Sequence, residues 1–419
     1  MKASLRAELE RRAPGEWELY SKRAESRELL VSAGGGGEAR RATRSEEGWA
    51  ARWWERGTPR FAAGSSEAEL SLAIRDAARV TAASAPPPAW PTATSPPLED
   101  PGPPPAPPEL SEALARLLAA ESHGEAVLAE LSVATGARTE HIVNGRGGDV
   151  SLRTEALEGF ARAIGRRESR ACEARVLFRW DGEPQLEPVA RRLSDRATLP
   201  LSERASPLAH GEWLLDPSVA AALLAGAAPL FTAATLPTWV QRNRLFSPKV
   251  TVVDDAALDG AFDGEGTPTR RVVLVDEGSL SGRLQDLRSA TASGVPATGH
   301  GVRSSYRTPP AAGPRRLFFE TSQGASSREL LASVRRGLFA AALTAPVRFD
   351  FERDRYEVEF TGISVIAGRA QGPVAGARAR GRLSQLLRRI AAVSTDRQFF
   401  PMPYPAGAPT LLIERAEFD

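Results

Sequence analysis

The side chains able to do chemistry are few and scattered. Four histidines, His123, His141, His210 and His300, lie far apart, and none has a second ligand type at helical spacing, so no metal cluster is visible. The single cysteine, Cys172, cannot close an intramolecular disulfide or build a zinc site alone, and we expect it to act as a small apolar residue. Asp254 and Asp255 are neighbours, and neighbours on a strand point to opposite faces, so they are expected to end a strand rather than share a proton. Asp263 and Glu265 lie two apart in a glycine loop and could offer oxygens to a cation, although without the ligand spacing of an EF-hand. Ser247 and Lys249 have the spacing of a serine–lysine pair, but no oxyanion loop is recognisable beside them. His300 sits between two glycines, where it could reach a bound peptide or a partner subunit, or stand as a solvated loop residue.

Most of these groups gather in one stretch, Phe262 to Arg303. Phe262-Asp263-Gly264-Glu265-Gly266 is too glycine-rich for helix or strand. The β-branched run Arg271 to Asp276, the turn Glu277-Gly278 and a return strand Ser279 to Leu284 predict a hairpin. A second tight bend follows at Thr298-Gly299-His300-Gly301. The run Pro217 to Gln241 carries no charge and is long enough to span a bilayer, but much of its apolar content is alanine and it is broken by Gly226, Pro229 and Pro237, which predicts a buried helix.

Ahead of that stretch, periodicity predicts a helix at Lys2 to Arg12, strands near Trp17 to Lys22 and Glu28 to Ser32, and a glycine run at Gly34 to Gly37. Gly48 to Trp54 and Arg60 to Ala62 form a hairpin pattern, followed by a helix over Glu67 to Ala83. Trp49 and Trp53 share a face and are expected to pack a helix; stacking on nucleic acid beside Arg52, Arg56 and Arg60 is the rival reading. Residues 85–108 hold 12 of the 33 prolines and read as a surface insertion or linker. A helix at Glu109 to Ala120, strands at Ala126 to Ala134, Arg138 to Asn144, Leu152 to Ile164 and Ala171 to Trp180, and a helix at Arg191 to Ala205 complete this half. Near the other end, Leu383 to Ala392 predicts a helix with Leu383, Leu386, Leu387 and Ile390 inward, and Thr410 to Arg415 a last strand.

The expected class is α+β: an N-terminal antiparallel sheet with covering helices over residues 1–205, carrying the proline-rich insertion at 85–108, and then a β-rich C-terminal domain over 206–419. A chain of 419 residues with 42% hydrophobic and 25% charged residues can bury a substantial core. Its 54 basic and 52 acidic side chains leave a formal charge of +2 without a long basic block, so nucleic acid is not expected as a partner. No signal peptide is read at the start, and the lone cysteine fits a reducing cytoplasm.

The order Asp-Gly-Glu-Gly-Thr-Pro-Thr at 263–269, then the hairpin, then Thr-Gly-His-Gly-Val-Arg at 298–303 resembles the C-terminal domain of the TldD/PmbA (TldE) family, once named modulators of DNA gyrase and known as metallopeptidase subunits. Ser247-Pro248 followed by Val250 to Asp255, the stretch His141 to Gly147, and Ala408 to Glu414 add to the resemblance. The family's catalytic branch takes its metal ligands from a HExxxH helix and a later cysteine. In register, the corresponding stretch here is Asp216 to Thr235, and it contains no histidine, glutamate or cysteine.

The resemblance therefore implies a PmbA/TldE-like subunit without catalytic residues, metal or cofactor of its own, with zinc held only by a TldD-like catalytic partner. It further implies an unfolded or extended peptide as substrate, paired against a strand edge. The residues expected to face peptide or partner are Gly264, Glu265, Gly266, Thr267 and Thr269, with Thr298, Gly299, His300, Gly301 and Arg303. The alternative is a stand-alone peptide-binding or regulatory homodimer without peptidase activity. Departures from the family pattern keep that alternative open: the proline insertion, Gly145 where serine is usual, and Tyr356 to Gly362 in place of a glycine-rich stretch.

Overall fold

The computed structural model describes residues 3–32, 38–77, 84–96, 98, 102–201, 208–232, 236–240, 244–321 and 324–419. The glycine run at 34–37 and the ends of the predicted helices at 67–83, 191–205 and 216–235 fall wholly or partly outside these residues.

In the first half the elements are α1 (Ala3–Arg12), β1 (Trp17–Ser32), β2 (Ala39–Glu55), β3 (Thr58–Gly64), α2 (Glu67–Ala77), α3 (Ser111–Glu121), β4 (Ala126–Asn144), β5 (Asp149–Arg167), β6 (Arg170–Trp180) and α4 (Leu186–Thr198). The strands form one antiparallel sheet in the order β3-β2-β1-β4-β5-β6. Four of them run 16 to 19 residues, about three times the usual length. The two strands expected around 17–32 are therefore one, as are the two expected around 126–144. The polar segment Arg23 to Arg27 interrupts the apolar pattern, but it is paired on both sides, with Arg23 opposite Glu47 on β2 and Thr139 on β4, so the ladder stays continuous.

Helices cover one face of this sheet. Trp17, Leu19, Ala51 and Trp53 meet Leu5 and Leu9 of α1 and Leu70 and Ile74 of α2, with Trp49 packed alongside, so the tryptophans pack helices as expected. Further along the same face Val133, Ala161 and Ala163 meet Leu114 and Leu118 of α3 and Val189 and Leu193 of α4. The opposite face carries Glu18, Tyr20, Arg52, Ile142 and Val150, and it receives the second half of the chain.

That half contains β7 (His210–Leu215), α5 (Pro217–Gly226), α6 (Pro229–Thr232), β8 (Val252–Asp255), β9 (Arg271–Asp276), β10 (Ser279–Leu280), α7 (Leu287–Ser293), β11 (Gly301–Val302), β12 (Ala311–Ala312), β13 (Leu317–Phe319), α8 (Ser327–Ser333), β14 (Arg336–Leu343), β15 (Arg348–Asp350), β16 (Arg355–Ile366), β17 (Arg369–Gly381), α9 (Leu383–Arg388), β18 (Ile390–Val393), β19 (Gln398–Pro401), β20 (Pro405–Ala408) and β21 (Leu411–Glu417). A six-stranded sheet, β10-β9-β8-β13-β20-β19, and a seven-stranded one built on β15-β16-β14-β7-β21-β18, with β17 on β16, share a core. Helix α5 lies between them, and its alanines let both sheets approach closely. Asp216 caps it by accepting a hydrogen bond from the Ser218 N–H at 2.8 Å, and Pro217 occupies the first turn.

Several boundaries differ from expectation for local reasons. The charge-free run at 217–241 breaks at Ala227 and Ala228 into α5 and α6, and among the described residues no helix is long and apolar enough to cross a membrane. The hairpin's return strand stops at Leu280, because Ser281 and Gly282 both donate to the Leu274 carbonyl. The last helix ends at Arg388 and Ile390 begins a strand, although Leu383, Leu386, Leu387 and Ile390 are all buried as expected.

The proline-rich stretch is a strap rather than a loose insertion. Trp90 is buried against Trp54 and against Leu287 of α7, its indole N–H donates to Glu16 at 2.9 Å, and the Arg52 guanidinium lies 4.9 Å from its ring centroid. The Pro91 carbonyl accepts from the Asn144 side chain at 2.7 Å, and Thr94 bridges to Asp149. Gly145, in the turn that Asn144 organises, is explained by crowding: a Cβ there would come within 2.7 Å of both Gly15 and the Trp17 indole.

Candidate functional site

The glycine loop at 262–269 is built around Asp263. One carboxylate oxygen accepts from the Glu265 and Thr267 N–H groups, both at 2.9 Å, and the other from the Gly301 N–H at 2.7 Å. These bonds tie the first glycine bend to the second and leave Asp263 no oxygen free for a cation. Arg315 closes the base of the loop by donating to the Phe262 carbonyl at 2.7 Å.

Glu265 then reaches across to the first half of the chain. Its carboxylate accepts from Arg52 of β2 at 2.6 Å and from the Leu287 N–H at the start of α7 at 2.7 Å. Arg52 also binds Glu18 of β1 through two N–H groups, at 2.7 and 3.1 Å. Arg303 completes the network: it pairs with Glu18, donates to the Gly264 carbonyl at 2.7 Å, and lies over the Tyr20 ring at 4.2 Å. All these side chains are buried. Burial pushes the Glu265 carboxyl up to about 7 against the pull of Arg52, and burial also raises Asp263. Desolvation opposes protonation of Arg52, but Glu18 and Glu265 outweigh it and hold the guanidinium firmly charged. Burial and then Glu140, which accepts the Tyr20 hydroxyl at 2.5 Å, push the phenol well above its ordinary value.

His300 is fully buried, not a solvated loop residue. Its Nε2 lies 3.1 Å from Asp254 and its Nδ1 is 3.0 Å from the Thr298 hydroxyl. This hydroxyl–imidazole–carboxylate chain has the outline of a nucleophile and base, but Thr298 is committed to the Gln285 backbone at 2.7 and 3.1 Å, and Asp254 also accepts from the Arg315 and Arg316 N–H groups at 3.0 Å. The geometry is that of a joint between β8 and the second glycine bend. Asp255, at the end of β8, is half-buried where Asp254 is fully buried. Ser247 and Lys249 do not form a catalytic pair: the Lys249 ammonium donates to the Ala391 carbonyl at 2.7 Å. Of the other histidines, His141 pairs with Asp149 at 2.6 Å, and His123 and His210 are exposed.

The ten residues expected to face peptide or partner are thus brought together, with Glu265 and Arg303 buried in the joint between the halves and Thr267, Thr298 and His300 buried beside it. The open space lies one step further along the same face of the N-terminal sheet. There a cleft of about 910 Å³ separates the middles of β1, β2, β4 and β5 from the segment at 257–260. None of the ten lines it. Its walls are charged: Arg44 and Glu46 on β2, Arg138 on β4, Arg153 on β5, and Arg316 paired with Asp181 and, at 3.1 Å, with Asp259. The polar segments that interrupt the apolar pattern of β1 and β4 are the signal for this cleft, since a face turned to water has no need of apolar residues. At its rim, β2 loses its outer neighbour: pairing to β3 ends at Trp49, so Ala39 to Glu47 is an exposed sheet edge.

The residues present do not fit a catalytic zinc. Helix α5, where the resemblance places the metal helix, offers only apolar side chains, most of them buried, with one serine and a glycine. Among the described residues no group of three or more His, Cys, Asp or Glu side chains could hold a metal ion.

Residues 213–419 match the PmbA/TldA metallopeptidase C-terminal domain. A stretch of 158 residues is 29% identical to the metalloprotease TldD homolog of Haemophilus influenzae, covering 36% of this chain and 32% of that protein. Another of 86 residues is 34% identical to an uncharacterized protein of Methanocaldococcus jannaschii, covering 19% and 20%. The chain thus spans about a third or less of the length of the curated relatives it matches. The fold matches the crystal structure of TldE from Thermococcus kodakarensis with a TM-score of 0.80 at 18% identity, over 99% of this chain and 100% of that one. A Thermotoga maritima protein described as a candidate modulator of a DNA gyrase matches with a TM-score of 0.76 at 18% identity, over 96% of each chain. Through residues 213–419, about half of the chain, this protein belongs to the TldD/PmbA (TldE) family, and along nearly its whole length it has the fold of TldE.

Proposed function

We propose that this chain is the non-catalytic, PmbA/TldE-like subunit of a TldD-type heterodimeric metallopeptidase that cuts unfolded or extended peptides in the cytoplasm. The observation that carries this reading is α5. The strands and core around it are retained, while every residue that could ligate zinc or move a proton is absent from it together. Zinc would be held by the TldD-like partner and would supply the activated water; this chain's residues contribute binding and enclosure.

Two features support the binding role. The cleft has walls of both signs, suited to a polar extended chain, and β2 offers free backbone donors and acceptors at Ala39 to Glu47, to which such a chain can add as a strand. The buried joint of Glu18, Arg52, Glu265 and Arg303 fixes the sheet relative to the second half and so holds the cleft open at one width. We expect the purified chain alone to contain no stoichiometric zinc and to leave unfolded peptides uncut. One tightly held zinc per chain in metal analysis, with cleavage by the chain alone, would overturn this reading.

A further inference from the structure

A second cavity, of about 500 Å³, lies where α4 and the end of β6 meet β19. Phe178, Trp180 and Phe399 give it flat apolar walls, the first two stacked at 4.2 Å between ring centroids. Three guanidinium groups line it: Arg179, Arg192 and Arg397. Arg179 is matched by Glu158 at 3.3 Å and Asp181 at 3.5 Å. The other two have no carboxylate within ion-pair distance among the described residues.

Arg192 is the unusual one. Its side chain is nine-tenths buried, it donates to the neutral Gln398 amide, it lies 5.2 Å from the Phe400 ring centroid, and its Nε has no hydrogen-bond partner among the described residues. Burial pushes its guanidinium down to about 10 against the pull of Asp216 and Asp396, neither of which comes within ion-pair distance of it. A buried cation without a counter-ion is costly, and folds normally pair it or replace it by an apolar residue. Arg397 lies against Phe318 at 4.3 Å and Phe399 at 5.7 Å, with one long bond to the Phe319 carbonyl.

The acids nearby are committed elsewhere or exposed, among them Glu320, whose charge favours the Arg397 guanidinium but which is paired with Arg271. Asp396 accepts from the Ser394 hydroxyl and from the N–H and hydroxyl of Thr410, Asp181 is held by Arg316 and Arg179, Asp216 is held by Arg196 and Ser218, and Glu183 is exposed.

We propose that this cavity binds a carboxylate carried on an aromatic or flat apolar group, with Arg192 and Arg397 supplying the counter-charge and Trp180 and Phe399 the shelf. The same chemistry has two sources, the free C-terminus of a peptide ending in an aromatic residue and a free aromatic carboxylic acid. Guanidinium forks suit carboxylates, and removing charge-assisted bonds of this kind costs about tenfold or more in affinity. The proposal does not depend on the peptidase reading, since it asks nothing of a partner or a zinc ion.

The test is calorimetric titration of the full chain with three probes: a short peptide ending in free phenylalanine, the same peptide amidated at its C-terminus, and phenylacetate. The expected result is binding of the free-acid peptide, of phenylacetate or of both, with the amidated peptide at least about tenfold weaker than its free-acid form. Phenylacetate binding as tightly as the peptide assigns the site to small acids; clearly tighter peptide binding assigns it to C-termini. Arg192→Met and, separately, the half-buried Arg397→Gln should each weaken binding at least about tenfold, and Arg192→Met should keep or raise thermal stability because it removes an unpaired buried charge. Equal binding of the amidated peptide, undiminished binding by a folded Arg397→Gln variant, or no binding of any probe at millimolar concentration overturns the proposal.

Discussion

Arg52 and Glu265 are 213 positions apart in sequence and ion-paired at 2.6 Å, both buried, so that one salt bridge joins the N-terminal sheet to the glycine loop of the second half. Around it Glu18 and Arg303 form a second pair, which makes the joint a four-membered alternation of charge once Glu265 is ionised. Such a joint gives a poor return in net stability over an apolar one, but it is unforgiving of partial removal.

The pH dependence of stability follows from Glu265. Its carboxyl is raised in the folded chain to about 7, so the proton it holds contributes stability that is fully present below its unfolded value of about 4.5 and is lost as pH rises through about 7. Denaturant titrations between pH 5 and pH 8 should show stability falling over that window by on the order of 2–3 kcal/mol more in the unaltered chain than in Glu265→Gln. An identical pH profile for the two would show that the joint does not titrate there.

Trp90 gives the clearest measure of whether the proline-rich stretch belongs to the packed structure. Its contacts with Trp54, Leu287 and Arg52 predict that Trp90→Ala destabilises the chain by roughly 3–5 kcal/mol. A loose linker would give a change within about 0.5 kcal/mol in the same denaturation measurement.

Gly48 on β2 is explained by Tyr306, since a Cβ there would fall 2.1 Å from the tyrosine ring. Gly48→Ala should cost about 1–3 kcal/mol by displacing the ring from the sheet face. In a double-mutant cycle, the same change made on Tyr306→Ala should cost clearly less, with a coupling of at least about 0.5 kcal/mol. Additive effects would mean that the ring does not press on the sheet at this point.

Legibility in the sequence followed distance and environment. The helices that carry Leu70, Ile74, Leu114 and Leu118 could be read because a buried face imposes its period locally. The middles of β1 and β4 could not, because their cleft-facing residues meet water and need no apolar alternation; only pairing on both sides keeps them extended. Trp90 sits in a segment without period, so nothing local reveals that it is buried. The glycine loop was legible as a loop and its ten candidate residues as neighbours, yet its partners Glu18 and Arg52 were not, since no local pattern links residues more than 200 positions apart. The cleft itself left one trace, the polar interruptions in strands that otherwise read as core.

In the proposed function this chain supplies walls to a peptidase whose metal another chain holds. The most direct test is co-expression with a HExxxH-bearing TldD relative from the same genome, followed by sizing and by a peptide-cleavage assay on the eluted material. The expected result is one joint peak containing both chains, with cleavage of an unfolded peptide that neither chain achieves alone. Two separate peaks, with the relative cutting peptides equally well by itself, would contradict it.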